Sequence, residues 1–191
     1  MANKNYRWIL ACYTVAYGYY TGMAALMDAI LQPYHIESSS VSIIGVAFIL
    51  SGIIGSFIFS AYVDRTKKFL KSLKIILIGM MISVSCSMFT LPSKSFTLIM
   101  INCAISGFFT ISIIPVAFAF SVELTHPISE PMSNGVMIVL SQIVGILCCY
   151  LGTALAKMNP LYCISMFIVQ IMIGLAASFM IEEDLRRVRL A

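Results

Sequence analysis

Charge is what this sequence has least of. Only 10% of its 191 residues are Asp, Glu, Lys or Arg, while 60% are hydrophobic. A soluble domain is about a quarter charged and about half apolar, so a soluble globular chain of this size is excluded. Histidine is nearly missing as well, with His35 and His126 the two examples, both in polar joints. A lone histidine beside carboxylates lacks zinc or calcium ligand spacing, so no metal and no cofactor is expected. The six cysteines (12, 86, 103, 148, 149, 163) show no CxxC spacing; they read as small buried apolar residues, without disulfides. The apolar stretches also contain no paired carboxylates, His cluster or activated Ser or Cys, so a membrane enzyme is not expected. No nucleic-acid partner is expected either.

Long apolar runs are what the sequence does have. Six stretches run roughly 8–31, 41–63, 73–91, 95–121, 132–156 and 161–181, near the about 20 residues a helix needs to cross a bilayer. They predict an all-α membrane protein, a single bundle of six transmembrane helices over residues 1–191. A membrane β-strand needs only about 10 residues in alternating pattern. The first run follows Lys4 and Arg7 but is too long for a signal h-region and ends without a small-residue cleavage pattern. Pro33, Pro92, Pro127, Pro131 and Pro160 punctuate the joints, where a missing amide costs least, and Pro115 is expected to kink the fourth run.

The cations are unevenly shared. Lys4 and Arg7, then Arg65, Lys67, Lys68, Lys71 and Lys74, then Arg186, Arg187 and Arg189 fall on one side of a six-span topology. Lys94 and Lys157 are the only two of the twelve on the other. Positive-inside bias places both termini in the cytoplasm, and an even number of spans requires the termini to share a side. The plasma membrane is the expected location.

The loop ELTHPISEP, Glu123 to Pro131, then lies beside the basic joint DRTKKFLK. Glu123 and Glu130 can face Arg65 and the lysines across the cytoplasmic mouth as a gate, holding one conformation and releasing it in the other. Exposed pairs give only about 0–1 kcal/mol each, so several would be needed. A solvated acidic loop stays open as the plainer alternative.

Two features inside the runs stand out. At 100° per residue, Tyr13, Tyr17, Tyr20, Ala24 and Asp28 share one face of the first span. An ionisable group in a span costs about 2.5–3.5 kcal/mol and usually faces a cavity, and aromatic rings attract ammonium groups. An organic cation would suit such a stripe; simple packing, with Asp28 reaching interfacial water, would also produce it. Gln142 in SQIVGILCCYLG is a mid-membrane amide that needs a partner or water. Asn102, Ser106 and Thr110 form a polar row on the fourth span that is a further candidate lining of the same cavity. The small-residue rows Gly18/Gly22, Ser51/Gly55, Gly52/Ser56/Ser60 and Ser141/Gly145/Cys149 are close-packing surfaces. No Lys, Arg or His inside a span suggests a proton relay, which favours passive facilitation.

The joint SAYVDRTKK resembles the loop motif of the major facilitator superfamily, with Ser60 at its first glycine and the second glycine absent. Read with NKNY, SGIIGSFIFSAYVDR, GFFTISIIPVAFAFSVELTHPISEPMSNG, SQIVGI and EEDLRR, the chain resembles the C-terminal six-helix half of the feline leukaemia virus subgroup C receptor-related transporters. It departs at Pro131, where glycine is usual, and at Asp28, where asparagine is common. The resemblance implies alternating-access transport of choline- or ethanolamine-like cations, or haem. It also implies Gln142 in the central substrate site, a site aromatic at or beside Tyr20 with Thr21 in one register, and Asp64 of the loop motif helping to lock the cytoplasmic gate. Such transporters bind substrate between two halves, so three expectations stay open for the other half: a fragment of a longer gene, a separate six-helix subunit, or a homodimer. A truncated, non-transporting scaffold is the rival function.

Overall fold

The computed structural model describes residues 4–34, 36–125 and 127–181. His35, His126 and the C-terminal Arg186, Arg187 and Arg189 lie outside the described residues. The described residues form six long helices: α1 Lys4–Leu31, α2 Ser38–Thr66, α3 Phe69–Thr90, α4 Phe96–Thr125, α5 Glu130–Met158 and α6 Pro160–Phe179. A short 3₁₀ turn, Gln32–Tyr34, links α1 to α2. Each predicted run sits within one helix or overruns it by a residue or two.

Five of them, α2 to α6, are long and apolar enough to cross a membrane, and the chain is a multi-pass membrane protein. The first helix, 28 residues long, is not among the five. Its five tyrosines, Thr14, Thr21 and Asp28 lower its hydropathy, and its partners are other helices: it packs on α4, α5 and α6. The first of the six spans expected from the sequence, 8–31, is thus a helix that falls outside the five apolar enough to cross a membrane.

Helix ends follow the sequence signals. Pro131 opens α5 and Pro160 opens α6, positions where a proline's missing amide would be unbonded anyway. The Asn159 side chain caps α6, accepting from Leu161 N at 2.9 Å. The second helix stops at Lys67, whose backbone is left-handed (φ 54°) and whose N–H bonds Val63 O at 2.8 Å. Glycine is the usual residue at such a left-handed helix end; here a lysine holds it despite its Cβ.

Two close seams organise the bundle. Between α2 and α4, backbone meets backbone: a Cβ on Gly107 would strike the Phe48 carbonyl, and one on Gly55 the Phe108 carbonyl. Ser51 Oγ donates across this seam to Ala104 O at 2.6 Å. Between α1 and α5, Gly145 receives the Thr21 side chain and Cys149 Sγ lies 3.8 Å from Thr21 O. The small-residue rows are packing surfaces, as expected in a medium without hydrophobic drive. Tyr13, Tyr19, Phe120 and Phe167 are the bulkiest fully buried side chains.

Contacts fix the helix directions. Tyr6 near the start of α1 bonds Ser133 near the start of α5. Phe69 at the start of α3 stacks on Phe120 near the end of α4, and Lys74 on α3 lies 4.7 Å over Phe179 at the end of α6. Lys4, Arg7 and the cluster from Arg65 to Lys74 thus share one end of the bundle, and Lys94 and Lys157 occupy the other.

Candidate functional site

The tyrosine stripe is real, and it is continuous. Ring centroids run Tyr13–Tyr17 5.6 Å and Tyr17–Tyr20 5.7 Å. Phe118 of α4 extends the ladder beyond Tyr13 at 5.2 Å, and Phe48 of α2 stacks on Tyr20 at 6.4 Å. Tyr13 is sealed in the core, whereas Tyr17 and Tyr20 are half-buried and present their rings to an open face. Gln142 stands on that face too, exposed, with Nε2 donating to Tyr17 Oη at 3.0 Å. An amide bound this way keeps Oε1 as a free acceptor, and the Tyr17 hydroxyl keeps its own proton to donate. The open face therefore combines two π surfaces with one acceptor and one donor.

Asp28 belongs to the same stripe but not to the same site. Eight residues separate it from Tyr20, about 12 Å of helix rise. It is exposed beside a cleft of ≈ 430 Å³ between the end of α1 and the start of α2, lined also by Ala24, Ala25, Ser38 and Ser42. Its contact there is a long one, from Ser38 Oγ at 3.4 Å. Thr21 sits in the α1–α5 seam, its hydroxyl donating to Tyr17 O at 3.0 Å and its side chain against Gly145.

The polar row on α4 does not line the open face. Asn102 Nδ2 donates to Ser87 Oγ of α3 at 2.7 Å, Ser106 Oγ pairs with Tyr19 Oη of α1 at 2.7 Å, and all three members of the row are buried. A polar row inside a bilayer marks a need for partners: Asn102 and Ser106 find theirs on neighbouring helices, while the buried Thr110 Oγ1 has none among the described residues.

At the basic end, Asp64, Arg65 and Glu130 are exposed, and Glu130 lies in the first turn of α5, where the helix dipole favours a carboxylate. Glu123 is buried, at 8% exposure, and its Oε2 has no hydrogen-bond partner among the described residues. None of these four makes an ion pair within 4.0 Å among the described residues. What closes this end instead is neutral: Tyr6 Oη donates to Ser133 O at 2.8 Å and Ser121 Oγ to Asn134 Oδ1 at 2.5 Å, tying α1, α4 and α5. Sequence reasoning missed that knot, Phe48, Phe118 and Gln170 of α6. Gln170 carries the signal that drew attention to Gln142, a lone amide in an apolar run. No group of three or more His, Cys, Asp or Glu among the described residues is arranged to hold a metal.

No protein-family model matches the chain. It is similar to solute carrier family 49 member A3 of Danio rerio, 35% identical over 160 residues, which cover 82% of the chain and 33% of that protein. Choline/ethanolamine transporter FLVCR1 of Mus musculus is 28% identical over 94% of the chain and 32% of its own length. Choline/ethanolamine transporter flvcr2a of Danio rerio is 27% identical over 98% of the chain and 40% of its own length. The chain thus spans about a third of the length of the curated relatives it matches. Over most of its own length it is a homologue of the FLVCR choline/ethanolamine transporters and of solute carrier family 49 member A3.

Proposed function

We propose that the chain forms the C-terminal six-helix half of a facilitator-type transporter and carries one wall of a passage for a small ammonium solute of the choline or ethanolamine class. In this reading α1 is the sixth span, both termini are cytoplasmic, and the protein works in the plasma membrane. The observation that carries it is the open face of α1 and α5, where the Tyr17 and Tyr20 rings lie beside a Gln142 amide already bonded to Tyr17. The names of the relatives supply the solute class.

The chemistry follows from the groups present. An ammonium head lies against the two rings, each contributing about 0.5–2 kcal/mol. The free Gln142 Oε1 accepts from the solute's hydroxyl or N–H, and the Tyr17 O–H donates to its oxygen. Two rings supply about 1–4 kcal/mol, whereas millimolar to micromolar binding requires about 4–8 kcal/mol. One wall is therefore too weak alone, which is why a second six-helix unit, a separate half or a second copy, is part of the proposal. The two units would rock about the solute to alternate access.

The test is uptake of radiolabelled choline by cells making the chain together with a partner half. Saturable uptake that collapses in the Gln142→Ala, Tyr20→Ala double variant supports the site. Uptake unchanged by the pair refutes it, and a chain that only scaffolds other helices would give no uptake in any version.

A further inference from the structure

Behind the open face, α1 leans on α6, and one side chain there is out of keeping with its surroundings. Gln170 lies in the middle of PLYCISMFIVQIMIGLAASF and is only 9% exposed. Its Nε2 donates to the Val15 carbonyl of α1 at 2.8 Å, while its Oε1 is buried beside the Cys148 thiol of α5 without a well-formed hydrogen bond among the described residues. A leucine or methionine would fill the same space and strand no polar atom, whereas a buried amide oxygen without a well-formed hydrogen bond is destabilising. The amide is out of place unless its directed bond to α1 has a use.

The neighbouring residues are arranged around that bond. A Cβ on Gly18 would lie 2.6 Å from Gln170 Nε2, so the glycine provides the slot the amide reaches through. One turn away, Cys12 Sγ donates to Gly174 O at 3.2 Å, and a Cβ on Gly22 would press on Phe167 at 2.8 Å. These contacts fix α1 against α6 both along its axis and in rotation. Val15 is two residues from Tyr17, whose hydroxyl must meet Gln142 of α5 at 3.0 Å. A slip of one residue moves α1 by about 1.5 Å and turns it by about 100°, enough to break that pair.

We infer that Gln170 is a positioning residue: through the Val15 carbonyl it holds α1 at the register in which Tyr17 and Gln142 meet on the open face. It touches no solute, and its consequence for transport rests on the proposal above.

Choline uptake by the full chain with its partner half, normalised to surface amount, tests it. Gln170→Met keeps the volume and removes the donor. Its KM is expected to rise about three- to tenfold, the range of one interhelical bond in a bilayer, with maximal rate within about twofold. Gln170→Glu is expected to lie within about twofold of the wild type at pH 5.5, where its buried carboxyl is protonated, and to approach Gln170→Met only as rising pH ionises that carboxyl. A protonated carboxyl regains an O–H to donate to Val15 O. Unchanged KM in Gln170→Met, a loss confined to maximal rate, or Gln170→Glu no better than Gln170→Met at pH 5.5 overturns the inference. If Gln170→Met does not reach the surface, the pH dependence of Gln170→Glu decides alone. If the wild type takes up no choline, the transport proposal fails by itself, and the clamp is then read from thermal unfolding. Gln170→Met and Tyr17→Phe should together lower Tm by less than the sum of their separate losses; strict additivity overturns the clamp.

Discussion

Gly107→Ala is the sharpest perturbation of the bundle. Its new methyl would run into the Phe48 carbonyl, and no rotamer change can relieve a clash with backbone. The helices α2 and α4 must part by roughly an ångström, and a gap of about 0.5–1 Å forfeits about a quarter to a half of each dispersion contact it opens. The contacts at stake include Gly52 against Ile111 and Gly55 against Ser112. The 2.6 Å bond from Ser51 to Ala104 would stretch as well, a loss of about 0.6–1.7 kcal/mol. The loss expected is about 1–3 kcal/mol, the range of overpacked cores, or roughly 2–12 °C in Tm for a chain of this size. Buried Cys12, Cys103 and Cys163 make a thiol-reactive fluorophore a suitable reporter of unfolding in detergent. Gly135→Ala is the control, since a Cβ there meets nothing within 4 Å and alanine favours the helix. Equal melting of Gly107→Ala and Gly135→Ala would refute the backbone-to-backbone seam.

Two further outcomes are expected. Lys67→Gly should raise Tm by about 2–8 °C over Lys67→Ala, because a left-handed residue with a Cβ costs about 1–2 kcal/mol at φ 54°; no difference between the two would argue against that cap. Asp28→Asn should raise the KM for choline uptake only about twofold and lose its effect at high salt, since a charge about 12 Å from Tyr20 acts through screened attraction; a tenfold, salt-independent rise would mean direct contact.

The helices were legible because a bilayer leaves a coarse mark on sequence: a run of about 20 apolar residues bounded by charge or proline. The tyrosine face was legible for a similar reason, since Tyr13, Tyr17 and Tyr20 lie on one helix and periodicity alone aligns them. What lies across the helix gap was not. Neither the Phe48 and Phe118 ends of the aromatic ladder nor the Val15 partner of Gln170 follows from spacing within one segment. Asn102 and Ser106 show the same limit from the other side: a polar row declares that it needs partners without saying whether those are a solute or Ser87 and Tyr19. Glu123 was expected to face Arg65 across an open mouth, but the close of α4 buries it without an ion pair among the described residues. Loop composition carries no information about that depth. The run 8–31 was read as a span like the others, yet the tyrosines and threonines of α1 leave it outside the five helices apolar enough to cross a membrane.

The most direct measurement of the central claim places a thiol on the proposed passage wall. Gln142→Cys, in the chain expressed with its partner half, should react with a membrane-impermeant methanethiosulfonate well above the wild-type background, and choline should slow that reaction in a saturable way. An introduced thiol that never reacts, as one facing lipid would not, or that reacts at the same rate with and without choline, would contradict the account.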